Sequence, residues 1–346
     1  MYPCVDIKLD GILNNLNILK KACNDNGMSL AVITKLLAGN RKIVRYIIEN
    51  SDIDIIGDSR VKNLAEFRDL DVEKWLIRSP MISEADKVVE YADVSLNSEL
   101  AVIKALNKSA IKAGKKHKII LMLESGDLRE GCYYDEVAEI IKASLMLEGI
   151  DVYGIGTNLS CLNDTLPSEE NMNRFTDTVE RLEKNLGIRF SIVSGGASSS
   201  INMMIDGKLP DRINNLRMGE GIFLGNVPVY DNDFGGAVTD CFILKAEIIE
   251  LKDKPSVPDT FPEDSPSMHR RAIVALGKQD VYIPGLSCFD ERLTIVGGSS
   301  DHIVVDVTDS DDDYRVGDII DFKMNYNCLL NVMTSTYISH VFKTIY

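Results

Sequence analysis

A chain of 346 residues that is 45% apolar and 26% charged has the composition of a globular protein, with room for two domains or for one barrel plus an appendage. Its 53 acidic and 38 basic side chains leave a net charge of −15, which excludes nucleic acid and anionic membrane as partners and suits a cationic substrate. No apolar run is long enough for a membrane span, and the N-terminus, Met-Tyr-Pro-Cys-Val-Asp-Ile-Lys, carries charge where a signal peptide needs an apolar core. The seven cysteines are scattered without a C-x-x-C pair, as expected of free thiols in a reducing, cytoplasmic setting. His117, His269, His302 and His340 lack paired spacing, so no metal site is expected.

In chain order, short β-rich runs fall at 30–34, 53–56, 75–77, 92–95, 119–123, 150–153, 191–193 and 213–216. Helical patterns lie between them at 41–50, 60–70, 83–91, 99–113, 135–147, 168–186 and 198–205. Eight strands in alternation with helices predict an α/β fold whose N-terminal part is a (β/α)8 (TIM) barrel. An open doubly wound sheet uses similar units, but no G-x-G-x-x-G follows the first strand, which removes its dinucleotide-binding form. Beyond about residue 235 the helical periods fade. Runs at 237–251, 272–276, 292–296, 303–307, 318–321 and 326–332 read as strands of a C-terminal β-rich domain. The segment 253–271, with four of the ten prolines, reads as an ordered surface loop. The expected domains are therefore 1–235 and 236–346.

A barrel places its chemistry just past the C-terminal strand ends, and the unusual segments fall there. Ser-Leu-Ala-Val-Ile-Thr-Lys (29–35) ends on Lys35 at the exit of the first strand. An amine stripped of water at such an exit is more readily neutral, and a neutral amine can form a Schiff base with a carbonyl. Arg129 follows the fifth strand within Glu-Ser-Gly-Asp-Leu-Arg-Glu-Gly (124–131), and Asn158 follows the sixth within Gly-Ile-Gly-Thr-Asn (154–158). Ser-Gly-Gly-Ala-Ser-Ser-Ser (194–200) follows the seventh and offers hydroxyls and backbone N–H groups to an anion such as phosphate. Arg-Met-Gly-Glu-Gly (217–221) follows the eighth, and Arg217, ending a buried strand, needs a buried acceptor or an anion. A lysine, a phosphate cradle and a buried arginine together suit pyridoxal 5′-phosphate (PLP).

These segments resemble the alanine racemase superfamily of PLP enzymes, nearest its ornithine racemase branch. The likeness extends through Gly-Asp-Ser-Arg (57–60), Leu-Ile-Arg-Ser-Pro-Met-Ile-Ser-Glu (76–84) and Ser-Leu-Asn-Ser-Glu (95–99). It continues in Arg-Ala-Ile-Val-Ala-Leu-Gly-Lys-Gln-Asp (271–280), Gly-Ser-Ser-Asp-His (298–302) and Met-Thr-Ser-Thr-Tyr (333–337), so it covers nearly the whole chain. The resemblance implies that Lys35 carries PLP and works as acid or base on one face of Cα. It implies that Ser198 and the backbone of Gly219 and Glu220 bind the phosphate, that Asn158 packs on the pyridine ring, and that Arg217 faces the ring nitrogen. Arg129 is implied near the phenolic oxygen and the substrate carboxylate.

Alanine racemases take their second acid or base from a tyrosine of the partner subunit. In that register this chain has Lys278, with Tyr282 nearby, and Asp301 matches a substrate-side aspartate. The family's phosphate-binding tyrosine soon after the lysine is replaced here by Leu-Leu-Ala-Gly-Asn (36–40), which leaves Tyr337 and its neighbours to complete the phosphate contacts. The expected activity is interconversion of L- and D-ornithine by a head-to-tail homodimer, with Asp280 and Asp301 facing the substrate's side-chain ammonium. The alternatives are an alanine or broad-specificity racemase and a non-catalytic PLP carrier.

Overall fold

The computed structural model of the chain describes residues 1–230, 232–257 and 267–344. Its first strand is β1 (Cys4–Lys8), followed by the helix Leu9–Asp25. Eight strands then close a parallel barrel in sequence order. They are β2 (Ser29–Ile33), β3 (Ile55–Asp58), β4 (Glu73–Leu76), β5 (Val94–Asn97), β6 (His117–Leu123), β7 (Ile150–Thr157), β8 (Ile192–Ser194) and β9 (Asn215–Met218). Each lies within a few residues of its expected position. The expected helices at 41–50, 99–113 and 168–186 appear as Arg41–Asn50, Leu100–Lys112 and Glu169–Leu186. The stretch 60–70 keeps only Val61–Ala65 as α-helix.

The barrel closes around alternate residues of its strands. Ala31, Ile33, Ile55, Trp75, Val94, Leu96, Ile120, Met122 and Ile192 form one buried cluster, and Trp75 is wholly enclosed. Parallel strands flanked by helices are buried on both faces, so they read as apolar runs. The other face holds a polar contact as well. Ser95 Oγ lies 2.8 Å from Nε2 of His117, a residue 1% exposed. Burial, with Lys115 adding to it, lowers the His117 imidazole to about 4, so it is neutral in the folded protein. Unfolded, the same ring binds its proton near 6.5, so its stabilising contribution is complete above that pH, shrinks as the pH falls and is gone below about 4. Between pH 7.5 and 5 this amounts to about 2 kcal/mol of lost stability. Urea unfolding at both pH values is expected to show a correspondingly smaller loss in His117→Gln.

A two-residue pair, β10 (Asn226–Val227) and β11 (Asn232–Asp233), follows the barrel. The remaining strands are β12 (Phe242–Pro255), β13 (Met268–Val274), β14 (Leu286–Cys288), β15 (Thr294–Gly298), β16 (Ile303–Asp306), β17 (Ile319–Met324) and β18 (Ser339–Lys343). They form a largely antiparallel sheet in the order β14-β17-β12-β13-β16-β15, joined by β1, which pairs antiparallel with β12 and parallel with β18. The chain thus comprises two compact units, Leu13–Thr239 and a second made of Met1–Ile12 with Asp240–Tyr346. A cut at 235/236 assigns the first residues to the barrel, whereas β1 belongs to the second sheet. Neither β1 nor the helix Leu9–Asp25 was expected from the sequence.

Two expectations in the second unit are corrected. The run 326–332 is not a strand but part of the helix Tyr326–Thr334. Its buried residues, Cys328, Leu329, Val332 and Met333, recur at helical spacing, and the side chain of Asn325 caps the N-terminus by accepting from Cys328 N at 3.0 Å. Asn325→Ala is expected to cost about 1 kcal/mol, measurable by chemical denaturation. The supposed loop 253–271 is strand at both ends, with Asp253 opposite Arg270 and Pro255 opposite Met268. Its middle, 258–266, lies outside the described residues.

Candidate active site

Lys35 leaves β2 in a single 3-10 turn, Thr34–Leu37, and is partly buried. The turn is held from beneath. The Thr34 hydroxyl contacts the Gly57 carbonyl at 3.2 Å and donates to Asp58 Oδ2 at 2.9 Å. Asp58 is fully buried and also accepts from Arg60 N at 2.9 Å and Asn63 Nδ2 at 3.0 Å. Burial pushes its carboxyl above the usual range, against the pull of those donors. Because β2 lies between β3 and β9, Lys35 emerges beside the strand that carries Arg217.

Past β9 the backbone approaches β2 closely, and a Cβ on Gly219 would meet the Ile33 carbonyl oxygen at 2.9 Å. Ser198, 3% exposed, accepts from Gly219 N at 3.3 Å and Gly221 N at 3.1 Å. Its neighbours spend their hydroxyls on backbone, Ser199 on Leu159 O and Ser200 on Gly195 O. The Ser198 O–H donates to no described residue. Gly196, at φ 122, supplies a backbone conformation that L side chains rarely adopt. Glu220 begins the next turn. Burial raises its carboxyl, while Asn226 and the nearby Lys35 pull it back.

Arg217 is 5% exposed. Its guanidinium donates to Ser194 Oγ at 2.5 Å and to the Thr157 carbonyl at 2.8 Å, both neutral acceptors. Among the described residues no carboxylate lies within ion-pair distance. Burial lowers its pKa to about 10, with Cys161 and Glu130 opposing that shift and Arg129 adding to it. The loop after β6 builds a second positive group. Arg129 is paired to Glu130, by Nε at 2.5 Å and Nη2 at 2.8 Å, and to Asp127 at 3.2 Å. Burial raises the Glu130 carboxyl, and both Arg129 and Arg217 act to lower it. Asp127, 2% exposed, ties this loop to the one after β7 by accepting from Cys161 N and Leu162 N at 2.9 Å. On that loop Asn158 is buried and donates from Nδ2 to the Cys161 sulfur at 2.9 Å.

Lys35, Arg129, Asn158, Ser198, Arg217, Gly219 and Glu220 thus all follow or end barrel strands at the C-terminal face, where barrels hold their chemistry. Lys278, Asp301 and Tyr337 belong to the second unit. There the Lys278 and Asp301 loops adjoin. Lys278 N donates to Ser299 O and Gln279 N to Ser300 O, each at 3.0 Å. Lys278 is exposed. Asp301, also exposed, is held below the usual carboxylate range by Ser299, Ser300 and His302. Tyr337 is 70% exposed, and its N–H reaches Ser335 Oγ at 3.2 Å. Asp280, in contrast to its expected place beside Asp301 facing an ammonium, is 5% exposed and accepts from Ser335 Oγ at 2.9 Å. Glu130 and Asn215 were not among the expected site residues, and Ser194 was expected only as part of the loop 194–200. Two acids flanking one arginine in Asp-Leu-Arg-Glu (127–130) are a signal for Glu130, whereas Asn215 carries no local signal.

The alanine racemase N-terminal domain family matches residues 7–227. Over 349 aligned positions, 98% of this chain and 99% of the relative, the sequence is 41% identical to an ornithine racemase of Acetoanaerobium sticklandii. A lysine racemase of Thermotoga maritima is 34% identical over 99% of both chains. In fold, the chain is similar to the crystal structure of alanine racemase from Bartonella henselae with covalently bound pyridoxal phosphate. That likeness has a TM-score of 0.75 at 16% identity and covers 98% of this chain and 99% of the other. With a family match over more than half its length and full-length relatives well above 30% identity, the chain belongs to the alanine racemase family.

Proposed function

We propose that the chain is a PLP-dependent racemase of a basic amino acid, ornithine foremost, acting as a head-to-tail homodimer in the cytoplasm. The observation that carries the reading is Arg217, a buried guanidinium with neutral acceptors only, beside the strand that ends at Lys35. Such a group fits a ring nitrogen, which accepts a hydrogen bond without neutralising the charge. The unspent O–H of Ser198, beside the N–H groups of Gly219 and Gly221, fits a phosphate.

In this reading Ser198 and the backbone of Gly219 and Glu220 would hold the phosphate, with Tyr337 completing those contacts, Asn158 would lie against the ring, and Lys35 would carry the cofactor. PLP supplies an electron sink that acidifies the Cα–H of a bound amino acid. Lys35 takes or returns the proton on one face of Cα. Arg217, always a donor, would donate to the ring nitrogen, and a nitrogen so held would make PLP a weaker sink, which favours proton return over side reactions. Arg129, fixed by Glu130 and Asp127, orients the substrate carboxylate. Lys278 of a second copy serves the opposite face, and Asp301 faces the substrate's side-chain ammonium. The acidic balance of the chain and the ornithine and lysine racemases among its relatives support a basic substrate.

The deciding experiment is incubation of PLP-loaded protein in D₂O with single-enantiomer amino acids, following Cα deuteration and optical rotation together. Racemisation of ornithine and not alanine is the expected result. Equal turnover of alanine moves the reading to a broad-specificity racemase. A PLP spectrum without any exchange moves it to a carrier. A shared site also predicts complementation. Mixing inactive Lys35→Ala with inactive Lys278→Ala and allowing subunit exchange restores about a quarter of wild-type activity, because half of the dimers then hold one intact site of two. No recovery after demonstrated exchange would sink the shared site.

A further inference from the structure

Beneath Arg217 the barrel holds a line of polar side chains that the reaction does not require for contact. Arg217 Nη1 donates to Ser194 Oγ at 2.5 Å, and Ser194 Oγ donates to Asn215 Oδ1 at 2.6 Å. Asn215 Nδ2 donates to Ser29 Oγ at 3.0 Å, and Ser29 Oγ donates to the Asn214 carbonyl at 3.1 Å. The register explains the alignment, since Asn215 of β9 lies opposite Ser29 of β2 and Ser194 of β8. Ser194 and Asn215 are fully buried.

Each direction in this chain is forced. A guanidinium only donates, so Ser194 Oγ must accept from it. The single hydroxyl hydrogen of Ser194 then goes to Asn215, which fixes Oδ1 as an acceptor and turns Nδ2 toward Ser29. Every link beyond Arg217 is neutral. A polar chain buried between barrel strands costs stability unless all its members are satisfied, and here each link has a partner.

We infer that Ser194, Asn215 and Ser29 form a positioning relay that locks Arg217 toward the cofactor's ring nitrogen while leaving its charge uncompensated. The inference rests on the PLP reading above. Its two halves are separable, however, because immobilisation of Arg217 is a property of the protein without cofactor. A carboxylate in place of Asn215 would make Ser194 a stronger acceptor and draw the guanidinium's charge inward, whereas a hydroxyl retained at 194 would keep the relay intact.

The test uses full-length protein with labelled arginine. In the cofactor-free wild type, the Arg217 Nη nitrogens give separate NMR signals because rotation of the guanidinium is blocked. In Ser194→Ala they merge. PLP titration is expected to show binding about tenfold weaker in Ser194→Ala and in Asn215→Asp, with a displaced absorption maximum in Asn215→Asp. Ser194→Thr retains both properties within about threefold, which a purely structural role for bulk at that site would not predict. Merged Nη signals in the wild type overturn the inference. So do unchanged PLP affinity and spectrum in folded Ser194→Ala or Asn215→Asp. If neither variant folds, the part-buried Ser29→Ala decides, and unaltered guanidinium signals there overturn the relay. A wild type with blocked rotation and no PLP band refutes the cofactor reading and the direction assigned to Arg217, and leaves the immobilisation standing.

Discussion

Lys35→Ala is expected to lose covalent PLP and to lower racemisation roughly 10³- to 10⁴-fold, while the barrel still folds. The fold survives because Lys35 sits at a strand exit, and its turn is held by the Thr34 contact with buried Asp58. On the proposed reading catalysis does not survive, because the variant would lack both the attaching amine and the acid/base on that face of Cα. Borohydride treatment followed by mass spectrometry checks the attachment, polarimetry checks the rate, and circular dichroism checks the fold. Cofactor trapped on a different lysine in the wild type would overturn the assignment. A small primary amine added to Lys35→Ala is expected to restore part of the proton transfer, since it replaces the missing base without altering the pocket.

Arg217→Glu carries the second large effect. The guanidinium is buried and flanked by acceptors, so a carboxylate there would face Ser194 and the Thr157 carbonyl with Glu130 close by. A buried charge stripped of its partners costs roughly 3–5 kcal/mol of stability. On the proposed reading, exchanging a fixed donor for a carboxylate at the ring nitrogen disturbs the balance that favours proton return, and turnover is expected to fall by about 10²- to 10³-fold. Thermal unfolding and steady-state racemisation measure the two losses separately. Arg217→Lys separates charge from shape. It keeps the positive charge but not the two-pronged fork, so a clear fall in kcat with a smaller loss of stability is expected. Racemisation by Arg217→Glu at the wild-type rate would exclude any role for the ring-nitrogen contact.

The barrel was legible because each of its strands is buried on both faces. Runs such as Leu-Ala-Val-Ile (30–33) and Ile-Ile-Leu-Met-Leu (119–123) need no distant partner to be recognised as strands. The residues at the strand exits were legible for the same reason, since once the strands are placed, Lys35, Arg217 and the loop 194–200 follow by counting, whereas Ser198 within that loop was singled out by the family resemblance. The helix Tyr326–Thr334 was missed because an apolar run of that length fits either period. Its helical identity rests on the Asn325 cap and on which side chains meet the sheet.

The sequence by itself determined the alternation of strand and helix, the family, and the set of reactive groups at one end of the barrel, because these depend on local pattern and residue type. Tertiary structure alone decided the rest. It placed β1 between β12 and β18, which come more than two hundred residues later. It surrounded Arg217 with neutral acceptors, gave Arg129 two carboxylates, and joined Ser29 to Asn215 across 186 residues. A strand's partner and a buried charge's counter-group are set by chain closure over long separations, and no local pattern encodes which distant residue will arrive.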